Sequence, residues 1–134
     1  MTKSVATFLM FSGRCEEALN FYISLVSNSR IDSMTKWGPD GPGGPDKEGT
    51  VMRAAFTLNG VKFEASDSPV KHAFDFTPSM SLFLECDGEE ELDRVFAALA
   101  EGGQTLMPLG NYGFSKKFGW CNDRFGVSWQ LNFS

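Results

Sequence analysis

A chain of 134 residues has the length of one ordinary domain and can bury most of the surface its unfolded form exposes, so it needs neither disulfides nor a structural metal. A net charge of −5 excludes the basic footprint of sequence-independent nucleic-acid binding. No apolar run approaches the roughly 18 residues of a membrane-spanning helix, and the start MTKSVATF lacks the apolar stretch of a secretory signal. Three cysteines, Cys15, Cys86 and Cys121, make an odd count without C-x-x-C spacing, the pattern of reduced thiols in a cytoplasmic protein.

In chain order, Val5 to Phe11 is apolar and partly β-branched or aromatic and predicts a strand, ended by Ser12-Gly13. Cys15, Ala18, Leu19 and Tyr22 then recur at helical spacing, with Glu16, Glu17 and Asn20 facing away, which predicts an amphipathic helix over 14–26. A strand is expected from Arg30 to Trp37. The segment 38–49, GPDGPGGPDKEG, reads as an exposed irregular loop, placed where a lid over a pocket could act. Val51 to Leu58 and Val61 to Ala65 flank Asn59-Gly60, a pair suited to the positive φ angles of a type I′ hairpin turn. A second loop, 66–78, holds the only histidine, His72.

Ser79 to Cys86 predicts a further strand. Asp87 with Glu90 reads as a capping box opening a helix over 88–101, whose apolar stripe is Leu92, Val95, Phe96 and Leu99. Gly102-Gly103 supplies its left-handed stop. Strands are expected at 104–109, 116–121 and 127–133.

The two halves resemble each other. A shift of 74 places Ala18 on Leu92, Tyr22 on Phe96 and Leu25 on Leu99, and Gly60-Val61-Lys62-Phe63-Glu64 resembles Gly126-Val127-Ser128-Trp129-Gln130. Each half reads β-α-β-β-β. The expectation is an α+β chain of one domain over 1–134, built of two modules at about 4–66 and 79–133. The two would share one curved mixed sheet with helices on its outer face, leaving a concave face for a small molecule.

The stretches FLMFSGRCEEALNFYISL and WCNDRFGVSWQLNF resemble the PhnB-like group of the glyoxalase, bleomycin-resistance and dioxygenase superfamily, also known as vicinal-oxygen-chelate proteins. That group also carries the label of a ubiquinone-pathway methyltransferase domain. The resemblance implies paired β-α-β-β-β modules and a homodimer. It further implies that the four metal-ligand positions of the superfamily fall on Thr7, Glu64, Ser81 and Gln130. Only Glu64 is a good metal ligand, because hydroxyl and amide oxygens compete poorly with water for a divalent cation. The expectation is therefore no superfamily-type metal centre and no cofactor. The methyltransferase label finds no support in the residues, which show neither alternating strands and helices nor a Gly-rich turn after the first strand.

Each candidate has an ordinary reading beside the functional one. Glu64 is either a general base or ligand, or a strand carboxylate facing solvent. His72 lacks a spaced partner and reads as a solvated loop histidine. The cysteines have no basic neighbour in sequence and read as buried packing residues. The acids of Asp87 to Glu91 suit the positive end of a helix dipole. Neither Gly110-Asn111-Tyr112-Gly113 nor Gly41 to Gly44 has phosphate-loop spacing. Of the 13 Phe and 3 Trp, most are expected in the core. Trp37, Phe56, Trp120 and Trp129 are the aromatic candidates for lining a pocket, and the ligand site is expected to use Trp37, Phe56 and Trp120 together with Thr7, Glu64, Ser81 and Gln130. The functional expectation is a small-molecule-binding protein with neither nucleic acid nor membrane as partner. The alternative is a metal-dependent lyase, isomerase or dioxygenase-like enzyme using Glu64.

Overall fold

The computed structural model describes all of residues 1–134 and divides them into two units, Met1–His72 and Ala73–Ser134. The first runs β1 (Thr7–Phe11), α1 (Cys15–Leu25), β2 (Arg30–Lys36), β3 (Val51–Leu58) and β4 (Val61–Asp67). The second repeats it as β5 (Ser81–Glu85), α2 (Glu89–Ala100), β6 (Gln104–Gly110), β7 (Lys117–Asn122) and β8 (Ser128–Phe133). The strand orders are β1-β4-β3-β2 and β5-β8-β7-β6. In each, the first strand runs parallel to the last and the other pairings are antiparallel. The α+β class and the β-α-β-β-β repeat are as the sequence implies. The strand ladders form two four-stranded mixed sheets, one in each repeat.

Alternation along the strands decides which face each side chain takes. In the first unit Leu9, Phe11, Ala54, Phe56, Leu58, Phe63 and Ala65 are buried, as is the helical stripe Cys15, Ala18, Leu19 and Tyr22. Phe56 stacks on Phe63 with ring centroids 5.2 Å apart. In the second, Cys121, Trp129 and Leu131 are buried, as are Leu92, Val95, Phe96 and Leu99 of α2. Each such Leu or Phe contributes about 1.5–3 kcal/mol by leaving water.

Asn59 and Gly60 adopt φ of 47° and 84°, so the hairpin turn has the left-handed backbone that the Asn-Gly pair predicts. Helix starts depart from expectation. No side chain of its own segment caps α1. Instead Asp67, at the end of β4 and 1% exposed, accepts the amides of Gly13 (2.6 Å) and Cys15 (3.0 Å) on Oδ1 and that of Val51 (2.9 Å) on Oδ2. The Asp87–Glu90 capping box is replaced by a different bond. Gly88 is the N-cap residue, which makes Glu91 the third helical residue, and it is Glu91 Oε1 that accepts the Asp87 amide at 3.1 Å.

The segment 38–49 is not wholly irregular, since Pro45–Lys47 forms one 3-10 turn. Its ends are tied together by Trp37 N–H to Thr50 O (2.8 Å) and Gly49 N–H to Trp37 O (3.0 Å). No helix is long and apolar enough to cross a membrane.

Candidate functional site

In the first unit β4 places Phe63 toward the helix and Glu64 on the opposite face. The parallel register sets Phe8 beside Glu64 and Thr7 beside Phe63. Thr7 therefore lies on the same side as the core residues, and Phe8, 54% exposed, stands next to Glu64 in its place. Glu64 Oε1 accepts from Arg53 Nε at 2.7 Å. That hydrogen bond and the guanidinium charge hold the Glu64 carboxyl below its ordinary range and push Arg53 up. An ion-paired carboxylate with a lowered pKa is a weak general base near neutrality. Its negative charge is also already balanced.

Phe56 is fully buried on the helix side and packs in the core. Trp37 uses its indole N–H internally, donating to Asp67 O at 3.0 Å. His72 Nε2 lies 2.8 Å from Ser68 Oγ.

The second unit brings four of its polar side chains together on the face away from α2. Gly119 points toward that helix, since an added Cβ there would meet Phe96 at 2.6 Å. Its neighbour Trp120 thus faces the other way, in register with Gln130, and Phe83 stands beside Gln130 from β5. Trp120 Nε1 donates to Ser128 Oγ at 2.8 Å. Ser128 Oγ is 2.7 Å from Ser81 Oγ, and Gln130 Nε2 donates to Ser81 Oγ at 3.4 Å. Trp120, Ser81 and Gln130 are thus joined, as the sequence reading grouped them, through Ser128, which it missed. It also missed Phe8 and Phe83, the exposed aromatics beside Glu64 and Gln130. Strand alternation carried that signal, because a residue paired with an outward-facing side chain must itself face outward. The resemblance instead aligned Thr7 with Ser81, a shift of 74. The registers match Phe63 with Trp129 and so Thr7 with Leu82, a shift of 75.

The residues do not fit a superfamily-type metal centre. Thr7 is on the wrong face, Ser81 is bonded to Ser128, and Gln130 offers an amide. Glu64 is taken up by Arg53. No group of three or more His, Cys, Asp or Glu side chains is gathered where a metal ion could be held.

Residues 3–132 match the model of a family described as 3-demethylubiquinone-9 3-methyltransferase. The chain is 56% identical to the PhnB protein of Bacillus cereus, covering 98% of this chain and 100% of that one with a TM-score of 0.93. It is 32% identical to a Pseudomonas aeruginosa protein, covering 99% and 98% of the two chains with a TM-score of 0.83. A glyoxylase/bleomycin resistance protein/dioxygenase domain from Frankia shares the fold at 11% identity, covering 100% of this chain and 93% of that one, with a TM-score of 0.63. No curated protein matches the chain. A β-α-β-β-β repeat, a family match over nearly its whole length and a PhnB relative at more than half identity place this chain in the PhnB-like, 3-demethylubiquinone-9 3-methyltransferase family, with a fold shared by a glyoxylase/bleomycin resistance protein/dioxygenase domain.

Proposed function

We propose that the chain is a small-molecule-binding protein that holds its ligand on helix-free sheet faces without a superfamily-type metal centre. The observation that supports this is the fate of the four candidate ligand positions, none of which offers an uncommitted anionic or imidazole donor. The exposed aromatics Phe8 and Phe83 and the half-buried Gln130 on the same faces suit an organic ligand better than a cation. Methyl transfer stays outside the proposal, because the crevice of a doubly wound sheet has no counterpart in either four-stranded unit. The protein acts in the cytoplasm, where three unpaired buried thiols stay reduced. It works as a homodimer, which sedimentation equilibrium tests directly: a species of twice the 14.8 kDa chain mass is expected.

Thermal unfolding with Zn²⁺, Ni²⁺, Mn²⁺ and Fe²⁺, and with a library of small organic compounds, tests the main proposal. Native-purified protein is expected to hold no stoichiometric metal and to gain melting temperature with an organic compound but not with the metals. Stoichiometric metal, or a metal-induced rise that disappears in Glu64→Gln, would establish the alternative, a metal-dependent lyase, isomerase or dioxygenase-like enzyme.

A further inference from the structure

Proton accounting on the second sheet narrows what the ligand is. Ser128 is 1% exposed and its Oγ accepts the Trp120 indole N–H. Its own hydroxyl proton must be used within the protein, since a buried unpaired donor costs about 1–3 kcal/mol. The partner within reach is Ser81 Oγ at 2.7 Å, so Ser128 donates to Ser81. Ser81 Oγ also accepts from Gln130 Nε2. With two donors bound, the Ser81 hydroxyl proton is left without a partner, and Ser81 lies only half-buried at the start of the edge strand β5. Gln130, having given its amide N–H to Ser81, keeps its Oε1 as an acceptor that no hydrogen bond of the chain engages. One donor and one acceptor therefore stand side by side.

Their surroundings select against charge. Gln130 is flanked by its strand neighbours Phe83, 56% exposed, on one side and Trp120 on the other. On the same face of β5, two residues beyond Phe83, stands Glu85. Its carboxyl is held below its ordinary range by the hydrogen bond from Asn132 and those from Ser134. An anionic ligand would be repelled by it. A cation is attracted to that charge, but Glu85 lies two residues along β5 from Phe83, and at the subsite itself the Ser81 hydroxyl proton presents a donor that a cation cannot use.

We infer that Ser81 and Gln130 form a subsite for a neutral carboxamide or similarly paired carbonyl and N–H group on an aromatic or apolar body. Ser81 Oγ–H donates to the ligand carbonyl, Gln130 Oε1 accepts its N–H, and Phe83 and Trp120 flank its ring. This rests on the small-molecule reading above and names the ligand class for one of its two faces. The first unit, with Glu64 and Arg53 at the matching place, is charged and would not share the preference.

The test uses three probes of one shape and different charge: benzamide, benzoate and benzylamine. The readout is the indole N–H signals of Trp37, Trp120 and Trp129 in a ¹⁵N correlation spectrum, assigned with Trp120→Phe. Benzamide is expected to move the Trp120 signal saturably, because that N–H is bonded to Ser128 in the network. The Trp37 and Trp129 signals, bonded to Asp67 O and Asp123 Oδ2, should stay in place and report an intact fold. Ser81→Ala and Gln130→Met should each weaken benzamide by about tenfold, the loss of one hydrogen bond. Benzoate or benzylamine binding as tightly as benzamide, or a benzamide response that survives both variants, would overturn the inference. If library compounds raise the melting temperature while benzamide leaves Trp120 unmoved, the subsite is wrong and the binding reading stands. If no compound stabilises the protein and no probe moves Trp120, both fail.

Discussion

The Asp67 carboxylate accepts three backbone amides, two at the start of α1 and one at the start of β3, from a site that is 1% exposed. Asp67→Asn keeps the shape but turns one acceptor into a donor facing the Val51 or the Gly13 and Cys15 amides. The expected cost is about 2–4 kcal/mol, read as a lower urea midpoint with an unchanged slope. The cysteines make a second prediction at this scale. Burial is the main cause pushing Cys15 and Cys121 up to about 12 and Cys86 up to about 11, with nearby carboxylates adding to it. Since the thiolate is the reactive form, no thiol should react with iodoacetamide in native protein at pH 8, and all three should react in denaturant, counted by mass spectrometry. The packing role of these cysteines was legible from their apolar neighbours. The role of Asp67 was not, because its partners lie 16 to 54 residues away and leave no local pattern.

At the scale of elements, the signals that worked were local and periodic. The stripe Leu92, Val95, Phe96 and Leu99 and the Asn59-Gly60 turn each appear where spacing and backbone preference predict them. Helix starts were less legible, since a cap can come from across the fold as well as from the preceding residue. Close packing of α2 on its sheet gives a prediction that sequence alone could not make. A Cβ on Gly119 would lie 2.6 Å from Phe96 Cε1 and 2.7 Å from Leu109 Cδ2. Gly119→Ala should cost about 1–3 kcal/mol by overpacking, and Gly119→Ala with Phe96→Leu should recover part of that loss in the same denaturation assay.

For the molecule as a whole, pH acts through three exposed-face carboxylates whose folded pKa lies below the ordinary value. They are Asp32, bonded by Thr57 and Arg30; Glu64, bonded by Arg53; and Glu85, bonded by Asn132 and Ser134. A depressed folded pKa means that the unfolded chain binds protons first, so these groups stabilise the fold above the unfolded carboxylate range near 4. That contribution is lost as pH falls through their folded values. Melting temperature should hold level from about pH 7 to 5 and fall below about pH 4, with a shallower fall in Glu64→Gln. By itself the sequence determined the α+β class, the β-α-β-β-β repeat and the element boundaries to within about two residues. Those properties follow from periodicity, turn chemistry and side-chain identity, which act over short spans of chain. The tertiary structure alone decided that Phe8 rather than Thr7 stands beside Glu64, that Phe56 is core, that Arg53 occupies Glu64, and that Ser128 ties Ser81 and Trp120 together. Each depends on the register between strands distant in sequence, and moving a register by one residue exchanges the two faces of a sheet.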